Sequence, residues 1–147
     1  MGVVDRTGAA VAAALDGQFD GSIDLIALKN EIFDFGAPGV AKALEAMMQA
    51  DVLVIGSPVF KASYTGVLKA FCDHIAAGQL AGKVAIPLMV GGSLQHYLAL
   101  DTHLRPLIVE LGAVCVSPGL YVVETELERL DEQLAEYLKT VQGLGPR

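Results

Sequence analysis

Two short loops hold the residues best placed to do chemistry in this chain. Pro58-Val59-Phe60-Lys61 follows the apolar run Val52–Ile55, and Gly91-Gly92-Ser93 follows the run Val84–Met89. Each loop stands between a buried-strand pattern and an amphipathic-helix pattern. In open parallel sheets that junction lies at the carboxyl end of a strand, where ligands bind. Two such loops from neighbouring strands form one pocket. Pro58-Val59-Phe60 offers a stiff apolar edge with main-chain amides, and glycine at 91 and 92 lets the backbone approach a ligand closely. No Ser-His-Asp set, paired carboxylates or metal-ligand spacing accompanies them. The pattern suits holding and aligning a ligand, not nucleophilic or acid–base work.

Individual side chains around the loops keep two readings each. Lys61 is either a positive charge for a ligand or a solvated loop residue. Ser63 and Ser93 each stand where a hydroxyl caps the following helix, which competes with ligand contact. Tyr64 is a ligand neighbour or a packing residue, and His96 a ligand neighbour or a first-turn surface histidine. Cys72 and Cys115 are too few and too isolated for a disulfide framework or a zinc site, and read as buried thiols.

Composition narrows the function classes. The chain has 147 residues, 53% hydrophobic, enough for one domain over 1–147 with a sizeable core. A net charge of −7 and a pI near 4.8 argue against a nucleic-acid partner, which requires a basic face. Apolar stretches are broken by Gly, Pro or charge short of the roughly 20 residues a membrane span needs. No signal-peptide pattern opens the chain, so a soluble cytoplasmic protein is expected.

Periodicity predicts the elements that position the loops. Residues 7–16 read as an Ala-rich helix stopped at Gly17. Residues 22–28 alternate, with Ile23, Leu25 and Ala27 on one face, and predict a strand. Pro38 suits the first turn of a helix over 38–50. Val52–Ile55 is continuous and apolar, as in a strand covered on both faces. A helix over 64–77 buries Val67, Leu68, Phe71, Cys72 and Ile75 and turns Lys69 and Asp73 outward as a pair. Val84–Met89 is a second buried strand, tolerating Pro87 only where no neighbour needs the missing N–H. Residues 94–112 predict one long helix kinked at Pro106. A further strand lies within 114–123, interrupted at Ser117-Pro118-Gly119. A final amphipathic helix covers 127–141, with Glu124, Glu126, Glu128, Asp131 and Glu132 on its solvated face and first turn. The tail from Gly143 is expected to fray. Helices alternating with buried strands predict an α/β domain with a parallel sheet between two helical layers.

The segments ADVLVIGSPVFKASYTGVLKAF, LAGKVAIPLMVGGSLQHYLALDTHLRP and ELGAVCVSPGLYV cover about two thirds of the chain in order. Together they resemble the NAD(P)H-dependent FMN reductases of the flavodoxin-like fold, most closely those of alkanesulfonate utilisation. The resemblance implies a three-layer parallel sheet and an FMN site contacted by Pro58, Val59, Phe60, Lys61, Gly91, Gly92, Ser93 and His96. It also implies hydride transfer from NAD(P)H, and a flavin-dependent monooxygenase that receives the reduced flavin. A homodimer or homotetramer follows from it too, with Tyr97, His103 and Arg105 as candidate interface residues on the long helix.

The amino end departs from that family. There the family has a strand and a phosphate-holding loop, and this chain matches only its last part, Asp5-Arg6-Thr7. Arg6 and Thr7 fit phosphate contact, whereas the Asp5 carboxylate repels it unless turned away. The expectation is an N-terminally truncated flavodoxin-like domain with weak FMN retention. The strand at 22–28 then pairs directly with that at 51–57, another chain fills the gap, or the natural protein is longer. Two alternatives to FMN reduction stand: a non-catalytic flavodoxin-like module, and a quinone or azo reductase that keeps its flavin bound.

Overall fold

The computed structural model describes residues 2–141; the tail from Gly143, expected to fray, lies outside them. Three parallel strands, β1 (Val52–Pro58), β2 (Val84–Gly91) and β3 (Leu120–Val123), form a sheet in the order β1-β2-β3. Five α-helices flank it: α1 (Val3–Ala14), α2 (Pro38–Gln49), α3 (Gly66–Cys72), α4 (Arg105–Glu110) and α5 (Leu130–Val141). The apolar strand residues divide between two faces, as the two-residue period of a strand requires. Val54, Ile86, Leu88, Leu120 and Val122 pack with Val11 of α1 and with Leu130, Leu134 and Val141 of α5. Leu53, Ala85 and Met89 pack on the other face with Val40 of α2, Phe71 of α3 and Ile108 of α4. The layers are therefore helix, sheet, helix, as expected. No helix among the described residues is long and apolar enough to cross a membrane.

Backbone alternation explains how a proline sits in the central strand. Val84 donates its N–H to Asp51 on the β1 side, and Ala85 donates to Val114 on the other, at 3.0 and 2.9 Å. Pro87, two residues beyond Ala85, faces the same way as Ala85. There the partner chain bows out through Cys115–Gly119 between the Val84–Val114 bridge and the Leu88–Leu120 pair. No acceptor in a ladder waits for the missing N–H, which is the condition the sequence set.

The same alternation leaves β1 with an open edge. Its odd-numbered residues face β2, so the N–H and C=O groups of Val52, Val54 and Gly56 point outward. They have no hydrogen-bond partner among the described residues. The expected strand at 22–28 does not form. Leu25–Leu28 is a 3₁₀ turn started by Asp24, whose carboxylate accepts the Ile26 N–H at 2.9 Å. An aspartate that caps locally competes with ladder formation, and alternation alone did not register it.

The helices also differ from expectation: α3 ends at Cys72 rather than 77, and α5 begins at Leu130 after a 3₁₀ stretch over Glu124–Arg129. The segment 94–112 breaks into a 3₁₀ turn (Leu94–His96), a π turn (Leu100–Leu104) and α4. Pro106 stands at the change of winding, where the π turn Leu100–Leu104 runs directly into α4; lacking an N–H for the carbonyl four residues back, it interrupts the regular ladder inside one continuous helical stretch. The first helix starts at Val3 rather than at residue 7, with Arg6 N–H on the Gly2 carbonyl at 3.0 Å. The pair Lys69–Asp73 forms as expected, at 2.5 Å.

The alternation has a direct consequence. Ile55→Pro removes an N–H that faces β2, whereas Val54→Pro removes one that faces outward. In urea unfolding, Ile55→Pro should cost about 1–3 kcal/mol more than Val54→Pro, the penalty for stranding a buried acceptor. Equal losses would contradict this orientation of the strand.

Candidate flavin-binding site

β1 and β2 run in register to the same end, Pro58 opposite Val90. One residue further, Val59 N–H donates to the Val90 carbonyl at 2.8 Å. A side-chain carbon on Gly91 would stand 3.3 Å from Cγ2 of Val59. The two loops named in the sequence therefore meet.

Beyond Val59 the chain makes a tight hairpin. Phe60 and Ser63 exchange main-chain hydrogen bonds of 2.9 and 3.1 Å, and the two residues between them, Lys61 and Ala62, have φ of 51° and 60°. Positive φ at both central positions is a type I′ turn, usually Asn-Gly. Lys and Ala hold it at a cost of about 1–2 kcal/mol each. The turn leaves Phe60 61% exposed. Lys61 is exposed and has no ion pair among the described residues.

Two hydroxyls fasten this loop. Ser57, buried at the end of β1, accepts the Thr65 N–H and donates to the Pro58 carbonyl, both at 2.9 Å. Thr65 Oγ1 accepts the Leu68 N–H at 3.3 Å and caps α3. Thr65, not Ser63, is the cap, because α3 begins at Gly66 and Ser63 stands two residues before the cap position, within the hairpin. Tyr64 packs against the core of that face.

The opposite wall is Gly91-Gly92-Ser93. The space where a Gly92 side chain would stand is open. Ser93 Oγ accepts the Gln95 N–H at 3.4 Å, so this hydroxyl is used locally in the 3₁₀ turn Leu94–His96. His96 is exposed, and Leu94 is 68% exposed. From β3, the Tyr121 hydroxyl donates to the Ser93 carbonyl at 2.7 Å, and its ring lies edge-on to Tyr97 at 5.5 Å. Desolvation holds the Tyr121 phenol above its usual range, so it remains a donor at neutral pH. Sequence reading passed over Ser57 and Tyr121. The signal was present: each is a polar side chain on an apolar strand, and such groups must find partners.

The helix α1 closes the amino side. Val4 Cγ2 lies 2.6 Å from where a Gly56 side chain would begin, which places the first turn of α1 over the carboxyl end of β1. Residues 5–7, expected as the last part of a loop, are instead in the first turns of α1. Arg6 pairs with Asp131 at the start of α5, 2.5 Å apart. Thr7 is fully buried and donates its hydroxyl to the Val3 carbonyl at 2.8 Å. The Asp5 carboxylate accepts the Gly2 N–H at 2.9 Å. The Ser22 hydroxyl and then that N–H hold Asp5 below the usual carboxylate range, so it is charged at neutral pH. Phe60 and Gly92 are both open at this end of the sheet, one through its exposed ring and the other through the free space beside its backbone. The residues at α1 fit a phosphate poorly, since an anion already occupies that position.

Other reactive candidates lie elsewhere. The Cys72 thiol is buried and pushed up to about 12 by desolvation, which excludes a ready nucleophile. His74 donates from Nε2 to the Ile32 carbonyl at 2.7 Å and packs on Phe35. Arg105 is engaged within the chain, with Asp101 at 2.8 Å and the Ser117 carbonyl at 3.3 Å.

Residues 4–128 match the family described as NADPH-dependent FMN reductase. The chain belongs to that family. A relative in Escherichia coli K12 named FMN reductase (NADPH) is 36% identical over 93 residues, which are 63% of this chain and 49% of that protein. An oxidoreductase from Corynebacterium diphtheriae superposes with a TM-score of 0.83 at 28% identity, over 95% of this chain and 85% of that one. Oxidised flavodoxin 1 from Bacillus cereus superposes at 0.62 with 20% identity over 98% of this chain and 92% of that one, a likeness of fold alone. The fold is flavodoxin-like. The chain spans about half the length of the curated relatives it matches.

The strained hairpin makes a testable point. Ala62→Gly should raise the denaturation free energy by about 1 kcal/mol by removing a side chain from left-handed backbone. An unchanged or lower midpoint in chemical denaturation would show that the turn carries no such strain.

Proposed function

We propose that this chain passes hydride from NAD(P)H to FMN and releases reduced flavin in the cytoplasm to a flavin-dependent monooxygenase. The observation that carries the reading is the Val59 N–H on the Val90 carbonyl, which joins the two loops of an FMN reductase family chain beneath exposed Phe60 and Leu94. Bound FMN supplies a hydride acceptor at its flavin N5. The chain's part is geometric. Phe60 and the Gly91-Gly92 backbone hold the ring between them, and Lys61 adds positive charge as the ring gains electrons; the N–H groups of Val59 and Phe60, expected from the sequence to meet the flavin, are instead spent on the Val90 and Ser63 carbonyls. No side chain acts as nucleophile or general base.

Weak flavin retention belongs to this reading. Arg6 is held by Asp131, Thr7 by Val3, and Asp5 opposes a phosphate at α1. FMN then behaves as a substrate that binds and leaves. A homodimer or homotetramer is part of the same proposal, supported by the exposure of Leu94, Tyr97, Leu98 and Val109 along one segment.

The Asp5 carboxylate also favours a second reading, a non-catalytic module whose phosphate site is lost. Flavin-fluorescence titration separates the two: binding at micromolar to millimolar FMN supports the enzyme, and none at millimolar FMN leaves only the module. Steady-state oxidation of NAD(P)H should depend saturably on added FMN. Stoichiometric flavin in the purified protein, with a quinone as the better acceptor, would instead indicate a quinone or azo reductase.

Removing the opposing charge should help. Asp5→Asn is expected to tighten FMN binding roughly two- to five-fold, the size of a charge–helix-terminus effect. Weaker or unchanged binding would show that phosphate does not approach α1.

A further inference from the structure

We infer that Tyr121 is a positioning residue for the flavin site, a role that rests on the FMN reading above. Tyr121 pairs with Met89 across β2 and β3, and its ring leans along β2 to lie over Gly91. A side-chain carbon on Gly91 would collide with the Tyr121 hydroxyl oxygen, so glycine at 91 is what admits the ring. The hydroxyl donates to the Ser93 carbonyl at 2.7 Å, and Tyr97 meets the ring edge-on at 5.5 Å. One side chain from the third strand thus touches Gly91 and Ser93 of the loop that forms the second wall, and Tyr97 just beyond it. Its hydrogen bond draws the Ser93 carbonyl in toward β3. Without it that carbonyl is free to turn into the crevice, where an acceptor facing an electron-rich reduced ring is unfavourable. Tyr121 need not touch flavin to act; it sets the main chain that does.

The test is Tyr121→Phe, which keeps the ring and deletes only the hydroxyl. Tyr137→Phe serves as control, because the Tyr137 hydroxyl makes comparable bonds to the Pro118 carbonyl and Ser117, 2.7 and 2.9 Å, at the amino end of β3. Flavin-fluorescence titration and thermal melting are read on the wild type and both variants. The expected result is an FMN Kd raised about five- to ten-fold in Tyr121→Phe, the effect of one hydrogen bond. Tyr137→Phe should lower the melting temperature while its Kd stays within about two-fold of wild type, since it lies away from both loops. The assignment is overturned if Tyr121→Phe binds FMN as wild type does, or if both variants weaken binding alike, which marks general loosening. A wild-type chain that takes up no FMN overturns the flavin reading itself, and this role with it.

Discussion

The in-register parallel pairing of β1 with β2 is the interaction on which the site depends. Its strands run in the same direction, so the loops that leave them emerge at one end of the sheet. The ladder continues one bond beyond β1, from Val59 N–H to the Val90 carbonyl at 2.8 Å. Both strands are covered by helices, and a hydrogen bond broken there would leave a desolvated donor or acceptor costing about 1–3 kcal/mol. The loops are therefore as fixed at their roots as the sheet. Ser57 carries that rigidity into the turn before α3, and Tyr121 carries it into the loop after β2.

The two ends of the proposed site differ in character. Near Phe60, Gly92 and Leu94 it is apolar and main-chain lined. At α1 it is anionic: Asp5 lies at the helix terminus, and the cations and hydroxyls of the first turns are spent within the chain. A ligand with a planar ring and a charged tail meets a good site for one part and a poor site for the other. The overall charge of −7 adds a weak field of the same sign. This asymmetry is what supports the proposal of a transiently held flavin.

The outer edge of β1 is the other unusual feature. In parallel sheets covered by helices, strands are normally paired on both sides or lie at a protected margin. Here Val52, Val54 and Gly56 direct main-chain donors and acceptors outward beside half-buried apolar surface. The charge and proline that commonly blunt such edges are confined to the ends, at Asp51 and Pro58.

Local pattern determined much of this protein. The continuous runs at 52–55 and 84–89, the helix after Pro38 and the leucine spacing of 130–141 were legible because burial on two faces, or on one helical stripe, writes itself into residue order. So was the placement of Pro58–Phe60 and Gly91–Gly92 after strands. What the tertiary structure alone decided were the outcomes of competition. Residues 22–28 alternate like a strand, yet Asp24 caps a 3₁₀ turn there. Pro106 marks a change from π to α winding within 94–112 rather than a bend in one regular helix. Arg6 and Thr7 have the right types for phosphate but find Asp131 and the Val3 carbonyl first. Tyr121 reaches Ser93 across Gly91 because β3 lies beside β2. Each of these turns on a partner distant in sequence or on a rival local bond, and residue order does not say which bond wins.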